Sequence, residues 1–202
     1  MTRRSSPGTT EQAANLETAR PDHIAVTVTF LEMTAPLTRM PPLPVHRQVA
    51  LMKTRNMPLH FYRYLMDRVG RKWHWVNALR ASDDELADTL AHPGRDIRVL
   101  YVDGAPAGFF DLKPHLPQTV ELAYFGMMEH AMGLGIGRWF LGAAIDAAWS
   151  HHPDIVTVQT CTLDHPAALP LYQKLGFSPV GQKREMVRPM SFEERSASVM
   201  RP

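Results

Sequence analysis

Alternation of apolar and polar residues marks the first ordered segment. In IAVTVTFLEM, from residue 24, Ile24, Val26, Val28 and Phe30 fall on one face and Ala25, Thr27 and Thr29 on the other, the period of a strand. Prolines 36, 41, 42 and 44 then exclude helix and predict an extended connection. Between residues 45 and 90 the pattern turns helical. It reads VHRQVALMKTRN, then PLHFYRYLMDRVG with Pro58 suited to a first turn and Gly70 to a stop, then SDDELADTLA. In the last of these Ser82 and Glu85 form a capping box, with acidic residues at the positive end of the helix dipole. Two strand patterns, DIRVLYV and PAGFFDL, flank Asp103-Gly104, a hairpin signature. TVELAYFGM, residues 119–127, predicts a further strand running into the glycine-rich GLGIG. RWFLGAAIDAAWS carries apolar or small residues on most of its faces, as a helix buried against a sheet would. DIVTVQTC then predicts a strand, PAALPLYQKLG a short helix ended by Gly176, and FSPVGQKREMV a last strand. This order mixes antiparallel hairpins with a βαβ crossover, so the expected fold is α/β or α+β: a mixed, largely antiparallel sheet covered by helices, in a single domain.

Composition narrows the class. The chain has 202 residues, a formal net charge of +2, 21% charged and 45% hydrophobic residues, those of an ordinary globular protein. A chain of this length buries roughly 70% of its unfolded surface, so a core needs neither metal nor disulfide. The single cysteine excludes disulfide frameworks, CxxC zinc ribbons and dithiol redox pairs, and fits a reducing compartment. The longest apolar stretch, residues 139–149, is interrupted by Asp146 and falls far short of the ~20 residues of a bilayer span. The arginines of MTRRSSPGTTEQ have no apolar segment behind them, so export is not expected and a cytoplasmic location is. Residues 1–22 are polar and predict a flexible N-terminal tail, 23–190 the folded domain, and 191–202 a C-terminal tail.

Gly133, Gly135 and Gly137 sit between a strand ending near Met127 and a helix starting near Arg138. Alternate residues without Cβ let a ligand approach the backbone, and the free N–H groups of a helix start form an anion site. The dinucleotide pattern GxGxxG fails here, because Arg138 and Phe140 occupy the positions where its last glycine would fall, and a Walker A loop is absent. The competing reading of GLGIG alone is a tight turn whose glycines serve packing.

Taken with the strand before it and DHPAALPLYQKLGF after it, the segment resembles the GNAT superfamily of acyl-CoA-dependent N-acyltransferases. Gly135 and Gly137 match the small positions of that family's R/QxxGxG/A coenzyme motif. Ala168, Leu171, Tyr172, Lys174, Gly176 and Phe177 match its later motif NxxAxxLYxKxGF. Glu121 lies on a strand 11 residues before the first position of the coenzyme motif, where one branch of the family keeps a general base. Met132 replaces the motif's Arg or Gln, and His165 its Asn, with Asp164 beside it as an alternative hydrogen-bonding group.

The resemblance implies a GNAT-type domain and acetyl-CoA as acyl donor. It places the pantetheine along the strand containing Phe125, Gly126 and Met127, with a backbone N–H near Phe125 on the thioester carbonyl. It places the pyrophosphate on Gly133, Leu134, Gly135, Ile136, Gly137 and Arg138, with Asp164 and His165 nearby. Direct transfer needs a neutral attacking nitrogen and a departing thiolate; the implied base is Glu121, directly or through water, and the implied acid Tyr172. Read as residues alone, Glu121 is equally an exposed strand residue and Tyr172 a helix packing residue. Cys161 reads as a core residue, and ten scattered histidines without HExxH or HxH predict no metal site.

Residues 39–80 hold nine Arg or Lys against one acid, a formal +8 that leaves −6 for the rest of the chain. By the resemblance this segment forms a wall of the acceptor site, with Tyr62, Trp73 and Trp75 as candidate substrate contacts. A basic, aromatic wall predicts an acceptor bearing an anionic and a planar group, and strand-like alternation predicts that at most one of the two tryptophans faces the pocket. The implied reaction is acetyl transfer to a primary amine of a small molecule, an amino acid or amine derivative. A protein N-terminus or lysine is the alternative within the enzyme class, and a degenerate fold binding nucleic acid or ribosome the alternative outside it. The near-neutral total charge disfavours a nucleic-acid partner. The acceptor, the acyl chain length and the oligomeric state, a homodimer included, stay open.

Overall fold

The computed structural model describes residues 22–201 apart from 45 and 116. The tail expected over residues 1–22 therefore lies outside the described residues, but for Asp22. The chain runs through β1 (Ile24–Met33), β2 (Val49–Lys53), α1 (Leu59–Gly70), α2 (Asn77–Arg80), α3 (Asp83–Leu90), β3 (Asp96–Val102) and β4 (Ala105–His115). It continues with β5 (Thr119–Met127), α4 (Gly137–Trp149), β6 (Ile155–Cys161), α5 (Ala168–Lys174), β7 (Ser178–Val187) and α6 (Phe192–Val199).

Seven strands form one sheet in the order β2-β3-β4-β5-β6-β1-β7. Every pairing is antiparallel except β5 with β6. This is the mixed, largely antiparallel sheet that the pattern predicts. One face packs on α4 and α5 through Phe110, Phe140, Leu141, Ile145 and Val158, and the other on α1, α2, α3 and α6 through Tyr62, Leu65, Met66, Leu79 and Phe109. The β3–β4 hairpin turns on Asp103 and Gly104, both at positive φ (50° and 85°), as a two-residue loop of that twist requires. Ser82 caps α3 as expected, accepting from the Glu85 N–H at 3.2 Å while Glu85 accepts from the Ser82 N–H at 2.8 Å.

Two expectations change. VALMK within the first predicted helix is β2, an edge strand paired with residues 98–102; the alternation of a five-residue segment beside a free sheet edge overrides its helix-forming composition. The first strand sits between β6 and β7, antiparallel to both. The proline segment after it carries the chain across α4 to the opposite edge, packing so closely that a Cβ at Gly142 would lie 2.7 Å from Pro41 Cδ. Residues 192–199, expected in a tail, form α6, which opens with its own capping box at Ser191 and Glu194. Arg195 reaches the buried Asp67 of α1 at 3.3 Å, and the Ser198 hydroxyl donates to the Leu79 carbonyl, so this segment closes the core. α1 ends at Gly70 as expected, with φ −95° and the chain continuing into a 3₁₀ turn over residues 71–73. The missing side chain of Gly70 makes room for Trp75, whose Cγ would lie 2.6 Å from a Cβ there.

Candidate active site

β5 and β6 pair only from Thr119 with Ile155 to Leu122 with Val158. Beyond that they separate, because β5 stays with β4 up to Met127 while β6 stays with β1 up to Cys161. A register shift opposite Asp111 and Leu112 leaves Ala123 as a bulge where the separation starts. The result is a cleft of about 570 Å³ whose wall is a strand edge with backbone N–H and C=O groups facing no partner strand.

At one end of the cleft lies the turn from β5 into α4. Gly133 and Gly135 adopt φ of +77° and +76°, a conformation that side chains disfavour, and α4 starts at Gly137. The first intrahelical bond is Phe140 N–H to Ile136 at 2.9 Å, so the preceding amides point out of the helix start, with no side-chain cap and no acid in the first turn. A Cβ at Gly133 would meet nothing within 4 Å and one at Gly135 only Pro44 Cγ at 3.8 Å. An open, uncapped helix start with Arg138 on it suits a phosphate.

Along its length the cleft is bounded by Phe125, Gly126 and Met127 of β5 and by Ala168, Leu171 and Tyr172 of α5. Tyr172 stacks edge-on with Phe125 and Phe177 at 6.3 and 5.9 Å between ring centres. Burial pushes its phenol well above the ordinary value, with the charge of Asp164 adding to the effect, so it is protonated throughout the neutral range. Asp164 accepts from Thr160 Oγ1 and Cys161 N–H, each at 2.8 Å, and from Trp75 Nε1 at 3.3 Å. His165 Nδ1 accepts from the Ala167 N–H at 3.1 Å, at the start of α5, and its ring meets Trp73 at 5.4 Å. Burial raises the Cys161 thiol, and Asp164 raises it further, so it is no thiolate nucleophile.

Most residues singled out in the sequence therefore converge: Phe125, Gly126, Met127, Gly133, Gly135, Ile136, Gly137, Arg138, Asp164, His165, Tyr172, Trp73 and Trp75 all line the cleft. Both tryptophans face it, against the expectation of one. Residues 71–73 form a 3₁₀ turn and His74 is left-handed (φ 56°), so strand alternation does not apply. Three residues are elsewhere. The half-buried Leu134 side chain packs against the core cluster that includes α4. Tyr62 is 1% exposed and donates to Asp111 at 2.7 Å in a buried network with Arg95, so it makes no substrate contact. Glu121 lines not the cleft but an adjoining trough of about 430 Å³ with Glu32, His115, Thr157 and Gln159. Val158 and Gln159 border both cavities, so the trough opens beside the cleft. Its His115 Nε2 stands 3.6 Å from Glu121 Oε2.

Register explains what sequence reasoning missed. Glu121 and Glu32 both pair with Thr157, so the two acids occupy one row across three strands, a relation that no local motif announces. Val69 and Tyr124 also line the cleft unannounced; burial, with the charge of Asp111 adding to it, pushes the Tyr124 phenol up to about 12. Five of the nine basic side chains of residues 39–80 pair with carboxylates. Arg47 pairs with Asp103 at 2.7 Å, Lys53 with Asp96 at 3.0 Å, Arg63 with Asp83 at 2.6 Å, Lys72 with Glu129 at 2.6 Å, and Arg71 with Asp67. The trough holds two glutamates and no Lys or Arg. Among the described residues no helix is long and apolar enough to cross a membrane, and no three His, Cys, Asp or Glu are grouped to hold a metal.

Residues 60–177 match the acetyltransferase (GNAT) family. Among solved structures, the chain resembles a GCN5-related N-acetyltransferase from Kribbella flavida (TM-score 0.54, 14% identity, covering 84% of this chain and 61% of that one). It also resembles a GCN5-related N-acetyltransferase from Sphaerobacter thermophilus (TM-score 0.55, 12% identity, 82% and 53%). A third is a tandem GNAT protein from the clavulanic acid biosynthesis pathway (TM-score 0.54, 16% identity, 82% and 55%). The chain thus spans between about half and two thirds of the length of these three structures. No curated protein matches it.

Proposed function

The chain belongs to the GNAT family of acetyltransferases, and on that premise we propose that it transfers an acetyl group from acetyl-CoA directly to a primary amine of a small molecule. The observation that carries the reading is the cleft between β5 and β6: a free strand edge with an uncapped helix start at one end and a buried phenol beside it. The residues fit the coenzyme. Gly133 and Gly135 leave open space at the α4 amides for a pyrophosphate, and Arg138 adds a cation. The exposed β5 edge from Ala123 to Met127 offers the pantetheine amides a strand to pair with. When bound, the coenzyme supplies an activated acyl group as a thioester.

The chain's own residues do the rest. A β5 backbone N–H near Phe125 hydrogen-bonds the thioester carbonyl and stabilises the negative charge that develops on it. The acceptor enters through the trough, where Glu121 takes the ammonium proton, directly or through a water, so that the nitrogen presents a lone pair. Tyr172, kept protonated by burial, donates to the departing sulfur. Glu32 in the same trough favours an amine whose remainder is neutral or cationic over one bearing a carboxylate.

Calorimetry with acetyl-CoA, followed by thiol release against a panel of amines, amino acids, peptides and aminoglycosides, tests the proposal. Micromolar binding and turnover with at least one small amine are expected. Bound coenzyme at about 100 times its Kd raises stability by about 2.7 kcal/mol. Absence of binding overturns the reading, and turnover with peptides alone overturns its small-molecule part.

A further inference from the structure

The cleft is open where the phosphates would lie and filled where the acyl group would lie. A Cβ on Gly126 would run into Val69 Cγ1 and stand 3.1 Å from Trp75 Cη2. Val69 and the protein's own indole occupy that volume, and the indole is held by several neighbours. Gly70 admits its Cβ and ring, Tyr124 and Phe109 pack against it at 5.2 and 6.4 Å between ring centres, and its Nε1–H donates to Asp164 Oδ1 at 3.3 Å. Asp164 is itself fixed by Thr160 and the Cys161 amide, so the bond ties the segment after α1 to the far wall of the cleft at the end of β6. The left-handed His74 beside it holds the segment in a conformation that a residue with a Cβ adopts only when its surroundings impose it.

We propose that Trp75 limits the length of the acyl group, with Asp164 as the positioning residue that keeps the indole across the cleft. The inference rests on the acyl-CoA reading above. A coenzyme paired along β5 from the glycine turn advances about 3.3 Å per residue toward the bulge at Ala123. Its acyl carbons then point between Val69, Trp75 and Tyr124. A two-carbon group stops short of the ring and a six-carbon chain meets it, and the space left by Gly70 and Gly126 is already filled by the indole and Val69.

The test measures Kd for acetyl-CoA and hexanoyl-CoA on the full chain by calorimetry, which needs no acceptor. The native protein is expected to prefer acetyl-CoA by tenfold or more. Trp75→Ala should remove that preference, bringing the two Kd values of the variant within about threefold of each other, and Trp75→Phe should fall between. Asp164→Ala should lower the preference in part, and Trp75→Ala/Asp164→Ala no further than Trp75→Ala alone; a purely structural Asp164 would leave the preference as it is. If Trp75→Ala does not fold by thermal melting, Trp75→Leu carries the same comparison. A native protein that binds both thioesters equally, or a ratio unmoved in the folded variants, overturns the gate and leaves the acyltransferase reading standing. A native protein that binds neither thioester overturns both.

Discussion

The two ends of the cleft use glycine for opposite purposes. At the α4 start, Gly133 and Gly135 are required by positive φ, and the space beside them is empty. At the other end Gly70 and Gly126 have no such requirement, and the space beside them is taken by Trp75 and Val69. The first pair leaves room for a ligand; the second leaves room for the protein. A site of this kind is shaped as much by what it fills as by what it leaves open, and glycine content alone does not distinguish the two.

The sharpest way to break the contrast is to put a charge in the empty end. Gly135→Asp places a carboxylate where a phosphate must sit and forces a side chain into a left-handed position. Acetyl-CoA affinity is expected to fall beyond the reach of calorimetry, more than about 10²-fold, while the far end of the cleft keeps its packing. Retained micromolar binding would show that the α4 start does not carry the phosphates.

Chemistry separates from binding next. Glu121→Gln should lower kcat by about 10²-fold with the acetyl-CoA Kd unchanged, because the trough and the cleft have different linings. Tyr172→Phe should lower kcat by about tenfold or more, also without a change in Kd. Burial raises the Tyr172 phenol, so it holds its proton below that raised value and loses it only well above pH 9. The native rate is therefore expected to show no alkaline loss between pH 7 and 9 that Tyr172→Phe removes. Unchanged turnover of Glu121→Gln across pH 6 to 9 would assign the proton to another base.

How much of this could be read in advance depends on the range of the forces involved. The open end was legible because a left-handed glycine turn before a helix is a local matter, as are the Asp103-Gly104 hairpin and the capping box at Ser82. The filled end was not. That Trp73 and Trp75 share a side follows from a left-handed His74, a residue with no intrinsic demand for that conformation. Tyr62 looked like an acceptor contact because it is aromatic and lies in a basic segment, yet its hydroxyl has a buried carboxylate to satisfy. Half of the +8 of that segment is met by four carboxylates outside it, up to 57 residues away. Strand order is equally long-range: no chain-order argument puts β1 between β6 and β7, and with it Glu32 beside Glu121. The helix α6 was readable, since Ser191 and Glu194 repeat the very box that marked α3.

The filled end is expected to respond in stability before affinity. Gly126→Ala keeps an ordinary backbone but drives a methyl into Val69 and Trp75, a cost of about 1–3 kcal/mol for overpacking, seen as a lower Tm. Val69→Ala in the same chain should recover part of it, since the two changes share one contact. A Gly126→Ala protein that melts with the native one would mean that the indole has room to move, and the contrast between the two ends would lose its physical basis.

One exposed contact joins the ends and sets the smallest effect. Lys72, one residue before Trp73, pairs at 2.6 Å with Glu129, which lies between β5 and the glycine turn. Both side chains are exposed, so solvent and salt screen the pair and its contribution to stability is small. Lys72→Ala should leave the Tm unmoved and the acetyl-CoA Kd within about twofold, because neither group touches the cleft and each end is fixed by its own packing. The salt dependence should be as small. A tenfold change in Kd, lost at high salt, would show that the tryptophan segment and the glycine turn act as one unit through this pair. The two ends would then have to be treated as coupled rather than independent.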